Sequence, residues 1–366
     1  MAELSRAMAE RFLPGGRLLA FGSGPYATDA QHVSVEFVHP VIVGKRALPA
    51  LDLSILFGPW LAAILHPEDI VMGFGPPEGD PAVTSALRQA RAAGALTIAL
   101  PGTEADYAFE PAAGDPFIHQ EVIEILYHTL WETVHVFLER REQGLDSGDA
   151  AFLYPFLGQQ KQGTGELIPE VAASILMKAA DDARLRERMA AAAQEIWDTS
   201  AAIAGRVARG GKLILFGNGG SATDANDWAI DCVLPPPGLH PVPAVSLALE
   251  PANITAVAND VGSELIFLRQ MIAQARPQDV AIGISTSGGS RNIIMALEEA
   301  RKRKLLTVAL LGYDGGEIRR RGLADHALVV PCDYIPRIQE VQASVYHLIR
   351  ANLELCRAGG NTPATA

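Results

Sequence analysis

LILFGNGGSATDAND, Leu213 to Asp227, carries an apolar run into a glycine-bearing turn and then into helix-forming residues. LLAFGSGPYATDAQH, Leu18 to His32, repeats it, with Phe21 on Phe216 and Asp29 on Asp224. The copies part at the turn itself: Gly219-Gly220-Ser221 in one, Gly24-Pro25-Tyr26 in the other. A strand that ends in such a turn before a helix aims free backbone N–H groups and the positive end of a helix dipole at one point, a usual way to hold phosphate. The chain has this turn twice, in two chemical forms.

The repeat runs on in both directions. Apolar runs of strand length follow in the order KLILFG, PVPAVSLA, DVAIGIST, LTVALLG and HALVVP in the second half. The first half gives RLLAFG, ALPALDLS, DIVMGFG, LTIALPG and the weaker DYAFEP in the same order. Helix-like segments separate most of them, which predicts parallel sheets covered on both faces. Each half closes on a helix, IHQEVIEILYHTLWETVHVFLERR and RIQEVQASVYHLIRANLELCR. The first half is shorter in two places, and its equivalent of NDVG falls in one of those deletions. A long Ala/Arg/Glu segment, Asp181 to Arg209, reads as an entry helix for the second half.

A chain of 366 residues suffices for two domains with their own cores. Its net charge of −12 argues against a nucleic-acid surface, and the RKRK cluster at Arg301 to Lys304 reads as a solvated helix end. Three cysteines, Cys232, Cys332 and Cys356, have no metal-ligand spacing and fit a reducing cytoplasm. No apolar run approaches the roughly 18 residues of a membrane span, and no signal peptide opens the sequence. The expected location is cytoplasmic.

A second loop strengthens the phosphate reading. ISTSGGSRN again follows a strand and precedes a helix, and it offers hydroxyls at Ser285, Thr286, Ser287 and Ser290. Hydroxyls and backbone amides can hold a dianion without a flexible lysine. Two such loops at the carboxyl ends of strands in one parallel sheet mark a binding site.

On FGNGGSATDA, AVANDVG, GISTSGGSRN and RIQEVQASVYHLI, the second half resembles the sugar isomerase (SIS) domain of the phosphoheptose isomerase family, from about Asp181 onward. The fold class expected is α/β, with two tandem three-layer αβα SIS domains, each on a five-stranded parallel sheet. The domains expected are a degenerate first SIS domain (1–142), a connector (143–180), a second SIS domain with intact loops (181–358) and a flexible tail (359–366). The resemblance implies that Asn218, Gly219, Gly220, Ser221, Ser285, Thr286, Ser287 and Ser290 bind the phosphate. It places Asp260 in the sugar pocket and Gln339 beside the substrate.

In the family the helix after the glycine turn carries a His and, four residues on, a Glu; residues so spaced share one helical face. The first half has His32 and Glu36 there, the second Asp227 and Asp231. The family's closing helix has a Gln and, eight residues later, a His, matched by Gln120 with His128 and by Gln339 with His347. The resemblance makes the Glu and the late His the acid–base pair, so Glu36, His128 and His347 are the catalytic candidates, with Asp231 as the second-half counterpart. In some members the His, Glu, Gln and His hold zinc, which here selects His32, Glu36, Gln120 and His128; no organic cofactor is implied. The other histidines match no family position and read as structural or exposed.

Losses in the two halves are complementary. The phosphate-competent half has two aspartates in place of His and Glu. The half with His32 and Glu36 has FGPPEG, Phe74 to Gly79, in place of the hydroxyl loop, where proline removes a donor and glutamate adds negative charge. Glu36 lies about ten residues beyond its own helix start, ~15 Å at 1.5 Å per residue, so a phosphate bound there would not bring a sugar to it. The expected enzyme is a sugar-phosphate aldose–ketose isomerase acting on sedoheptulose 7-phosphate through one composite site: loops from the second half, His32 and Glu36 from the first. Two other readings are a non-catalytic module binding a sugar phosphate or a protein, and an amino-sugar phosphate isomerase or deaminase. The partner expected is a sugar phosphate, with no nucleic acid and no membrane, and a homodimer that forms a pseudo-tetramer of SIS domains.

Overall fold

The computed structural model describes residues 1–42, 45–142 and 167–359. Two compact units divide at Asp181/Asp182. The first comprises α1 (Ala2–Phe12), β1 (Leu18–Gly22), α2 (Ala27–Val38), β2 (Ala50–Asp52), α3 (Phe57–Ile64), β3 (Ile70–Phe74), α4 (Pro81–Ala92), β4 (Leu96–Leu100), β5 (Tyr107–Ala108) and α5 (Pro116–Glu142). The chain enters the second within α6 (Leu167–Met189). It continues through α7 (Ala193–Val207), β6 (Leu213–Phe216), α8 (Gly220–Val233), β7 (Ala244–Ser246), α9 (Pro251–Asp260), α10 (Ile266–Gln274), β8 (Val280–Ser285), α11 (Arg291–Lys302), β9 (Leu306–Leu311), α12 (Gly316–Arg320), β10 (His326–Val329) and α13 (Ile335–Gly359).

All ten expected strands form, and the two five-stranded sheets are parallel throughout. Their orders, β2-β1-β3-β4-β5 and β7-β6-β8-β9-β10, are the same path traced twice. Alternation along the strands feeds two core layers in each unit. Leu19 and Phe21 of β1 pack with Val83 and Leu87 of α4, while Leu18 and Ala20 pack toward Val33 and Trp131. In the second unit Ile214 and Phe216 join Ile293 and Leu297, and Leu213 and Leu215 join Trp228 and Tyr346. Burial on both faces explains why the strands read as continuous apolar runs.

One expectation changes. The single entry helix over 181–209 is instead two helices, α6 and α7, separated by a short 3-10 turn at Ala190–Ala192. α6 starts at Leu167, so the last part of the stretch read as connector is helical; residues 143–166 and 360–366 lie outside the described residues. Between β2 and β3 the first unit has only α3, where the second has α9 and α10.

Candidate functional site

The glycine turn and the serine loop follow β6 and β8, neighbouring strands at the point where the strand order reverses. Crevices of parallel sheets open there. After β6 the chain turns so tightly that a Cβ on Gly217 would lie 2.1 Å from the Ser221 carbonyl oxygen. Gly219, at φ 56°, precedes α8, and among the described residues no side chain caps that helix. Its leading amides therefore remain available to a ligand. After β8, Ser285 Oγ accepts from the Gly288 amide at 3.2 Å and lies 3.3 Å from Ser290 Oγ. Ser287 Oγ accepts from the Gly289 amide at 3.2 Å, and Ser290 precedes α11, again with no side-chain cap. Asn218 and Asn292 exchange two hydrogen bonds, 3.0 and 2.9 Å, which lock the loops together. Ser221 and Ser285 are buried, Thr286 and Ser290 half-buried, and Ser287 exposed.

The first unit keeps the backbone path and fills it. Gly24 has the same φ, 56°, as Gly219. Tyr26 stands in place of Ser221, buried, with its ring 5.9 Å from that of His119. At α4 the position of Ser290 is taken by Asp80, whose carboxylate accepts from the Ala82 and Val83 amides at 2.7 and 3.0 Å and from Ser23 Oγ at 2.6 Å. Burial pushes the Asp80 carboxyl up, but these hydrogen bonds outweigh it and hold the group below the usual range. A permanent anion thus occupies the helix start that would receive phosphate.

The acid–base candidates lie between the helix after the turn and the closing helix of the same unit. His32 and Glu36 on α2 face His128 on α5, and one ligand atom from each lies within 4.8 Å of the others. His32 Nε2 is 3.9 Å from Glu36 Oε1, and the His32 and His128 rings are 5.1 Å apart. All three residues are buried. Among the described residues Glu36 Oε2 has no hydrogen-bond partner, and burial pushes its carboxyl up to about 8. A carboxyl so placed can both take and return a proton near neutrality. Gln120, two turns before His128, donates from Nε2 to Asp29 Oδ2 at 3.0 Å.

In the second unit α8 and α13 build the same corner from different groups. His347 Nε2 is 3.4 Å from Asp231 Oδ2 and 3.7 Å from Asp227 Oδ2, and the Tyr346 hydroxyl donates to Asp227 at 2.8 Å. Burial, then the neighbouring Asp227 charge, raises the Asp231 carboxyl, while His347 and Arg350 pull it back. Each closing-helix histidine therefore meets the helix of its own unit. Gln339 is buried on α13; Asp260 ends α9 on the surface, accepting from Asn259 at 2.8 Å. Among the histidines read as structural, His119 and His135 are buried and bond backbone carbonyls.

Sequence pattern alone does not mark Asp80, Asn292 or Glu124. Asp80 reads as a helix cap, and Asn292 gains meaning only from the distant Asn218. Glu124 sits on the face of α5 shared by Gln120 and His128, four residues from each, and it is buried. That spacing was the one signal available.

Comparison with known proteins follows the same lines. A model described as the SIS domain matches residues 179–312. The chain is 45% identical over 143 residues to a phosphoheptose isomerase of a Nitratiruptor species, covering 38% of this chain and 73% of that one. Against the Helicobacter pylori phosphoheptose isomerase it is 43% identical over 143 residues, covering 38% and 72%. Among solved structures, the C-terminal domain of glucosamine-fructose-6-phosphate aminotransferase from Francisella tularensis aligns with 96% of this chain over 87% of its own, at TM-score 0.58 and 10% identity. That last likeness is one of fold, and it takes in both units.

Proposed function

This chain belongs to the phosphoheptose isomerase family, and on that premise we propose that it interconverts aldose and ketose sugar phosphates, with sedoheptulose 7-phosphate as substrate and D-glycero-D-manno-heptose 7-phosphate as product. The observation that carries the proposal is the uncapped pair of helix starts at Gly220 and Arg291, ringed by Ser221, Ser285, Thr286, Ser287 and Ser290. Amides and hydroxyls there suit a phosphate dianion, with Asp260 and Gln339 assigned to the sugar.

Proton transfer is assigned to the first half. Glu36 would remove a proton from C1 of the ketose, giving an enediol, and return it to C2, while His128 moves a proton between O1 and O2. Complementary losses support this division of labour: the half with Glu36 has Asp80 where phosphate would bind, and the half with the loops has Asp231 where Glu36 would act. The first-half residues also fit a zinc ion. Two imidazoles and a carboxylate within 4.8 Å, with Glu36 Oε2 lacking a hydrogen-bond partner among the described residues, form a donor set of the kind zinc takes. His32, Glu36 and His128 would hold it, with the carbonyl oxygen of Gln120 as fourth ligand. When bound, zinc supplies polarisation of a carbonyl and stabilisation of negative charge on oxygen.

Two SIS folds in one chain replace two subunits of a four-domain assembly, so a homodimer is proposed; light scattering that gives a monomer mass at micromolar concentration would exclude it. No helix among the described residues is long and apolar enough to cross a membrane, and a cytoplasmic location is proposed. The deciding test is conversion of sedoheptulose 7-phosphate with and without added zinc. Turnover that Ser287→Ala weakens through KM supports the proposal. Tight binding of the ketose phosphate with no turnover would instead favour a sugar-phosphate-binding module.

A further inference from the structure

We propose that Glu124 is a positioning residue, its buried carboxylate pairing with the His32 imidazole and fixing which ring nitrogen faces Glu36 and His128. This inference rests on the reading that the His32–Glu36–His128 corner serves the reaction.

Three observations carry it. Glu124 is 4% exposed on α5, one turn from Gln120 and one from His128, so it belongs to the same face. A carboxylate oxygen of Glu124 lies within 4.8 Å of a ring nitrogen of His32, near enough for one atom to bridge them or for its charge to bias the ring. The second unit supplies the control. At the place of His32 it has Asp227, and at the place of Glu124 it has Ala343, 1% exposed. A carboxylate is therefore present opposite the imidazole and absent opposite the aspartate, where it would bury one more negative charge beside the two already there.

The chemistry explains why the pairing matters. The two imidazole nitrogens are inequivalent, and the partner of one sets the tautomer and the basicity of the other. Tyr127 and His128, with rings 5.2 and 5.1 Å from that of His32, limit its tilt but carry no charge that selects a nitrogen while neutral. Glu36 approaches Nε2 from α2, 3.9 Å away, and Glu124 supplies the selecting charge from the α5 side. Carboxylates placed behind a ligating or proton-handling histidine commonly act in this way.

The test uses the full chain and the near-isosteric Glu124→Gln, with Co²⁺ or Zn²⁺ as the probe. Expected is a roughly 10- to 100-fold loss of metal affinity by chelator competition, with an altered Co²⁺ absorption band. kcat should fall while KM for the ketose phosphate stays unchanged. The melting cycle is independent of activity. His32→Asp should lower Tm by opposing a new carboxylate to Glu124, and Glu124→Ala added to it should recover about 2–4 °C. Wild-type metal affinity and kcat in Glu124→Gln, or strictly additive Tm shifts in the cycle, would overturn the pairing. Full turnover in Glu36→Gln would remove the first half from the chemistry, yet the melting cycle would still decide whether Glu124 and His32 are coupled.

Discussion

The corner between α2 and α5 and the corner between α8 and α13 are one piece of architecture with opposite contents. In the first, the Glu36 carboxyl sits beside two imidazoles, with Glu124 facing His32 from α5 and Trp131 buried one turn beyond His128. In the second, two carboxylates share one imidazole, and Arg350 replaces the tryptophan, its Nε donating to the Asp231 carbonyl at 3.0 Å. Both acids are pushed up by burial, but only Asp231 has cations that pull it back. The first corner is thus left able to accept a cation or trade a proton, and the second is closer to self-neutralised. At the loops after the central strands the contrast reverses. The second unit leaves its helix starts open, while the first seals α4 with Asp80. A duplicated fold can split one function when each copy keeps the end the other has given up.

The largest effect expected from probing this contrast lies at the second-unit loop. Gly288 has φ 60°, and a Cβ there would come within 2.2 Å of the Gly315 carbonyl oxygen. Gly288→Val should distort the hydroxyl loop and cut kcat/KM by more than about 100-fold, as a misplaced binding group does. Gly79→Ala, in the sealed loop, has φ 79° but open space around its Cβ. It should leave kcat/KM within about twofold and cost only backbone strain of order 1 kcal/mol. Similar kinetic losses from both would mean that the first-unit loop also handles substrate.

A smaller effect is tied to Glu36. The unfolded side chain ionises near ~4.3, whereas burial keeps the folded one protonated up to about 8. The folded state binds this proton more tightly, so stability of the metal-free protein falls as pH rises between these values and is level above them. Glu36→Gln has no proton to lose. Its Tm advantage over the parent should therefore grow from pH 5 to pH 8, a trend that thermal melts in chelator would show. A constant difference would mean that Glu36 is ionised in the folded protein.

The smallest effect belongs to the seal itself. Asp80→Ala removes a cap that accepts two amides, which costs about 1 kcal/mol, or about 2–4 °C in Tm for a unit of this size. KM should not change. A raised KM would place Asp80 in the working site.

Much of this contrast is legible in the sequence. Five apolar runs per half, in matching order, defined both sheets because parallel strands buried on two faces leave an unbroken apolar signature. The glycine turn and the serine loop were legible because their chemistry is local, and so were the His–Glu and Gln–His spacings along single helices. What stayed hidden depends on pairs distant in sequence. Asn218 meets Asn292 only after β6 and β8 pair, and Asp80 meets Ser23 by the same geometry in the other unit. Glu124 needed α5 laid against α2. The break between α6 and α7 leaves no mark in the sequence, because alanine-rich sequence supports helix on both sides of it.

Steady-state kinetics of Glu36→Gln beside Asp231→Asn test the division of labour most directly. Both substitutions keep shape and remove a carboxylate from the same architectural corner, one in each unit. The prediction is a fall in kcat of about 10²- to 10⁴-fold for Glu36→Gln, the usual scale for losing a general base, with KM little changed. Asp231→Asn should stay within a few-fold of the parent. Equal losses from the two variants, or full activity in Glu36→Gln, would contradict it.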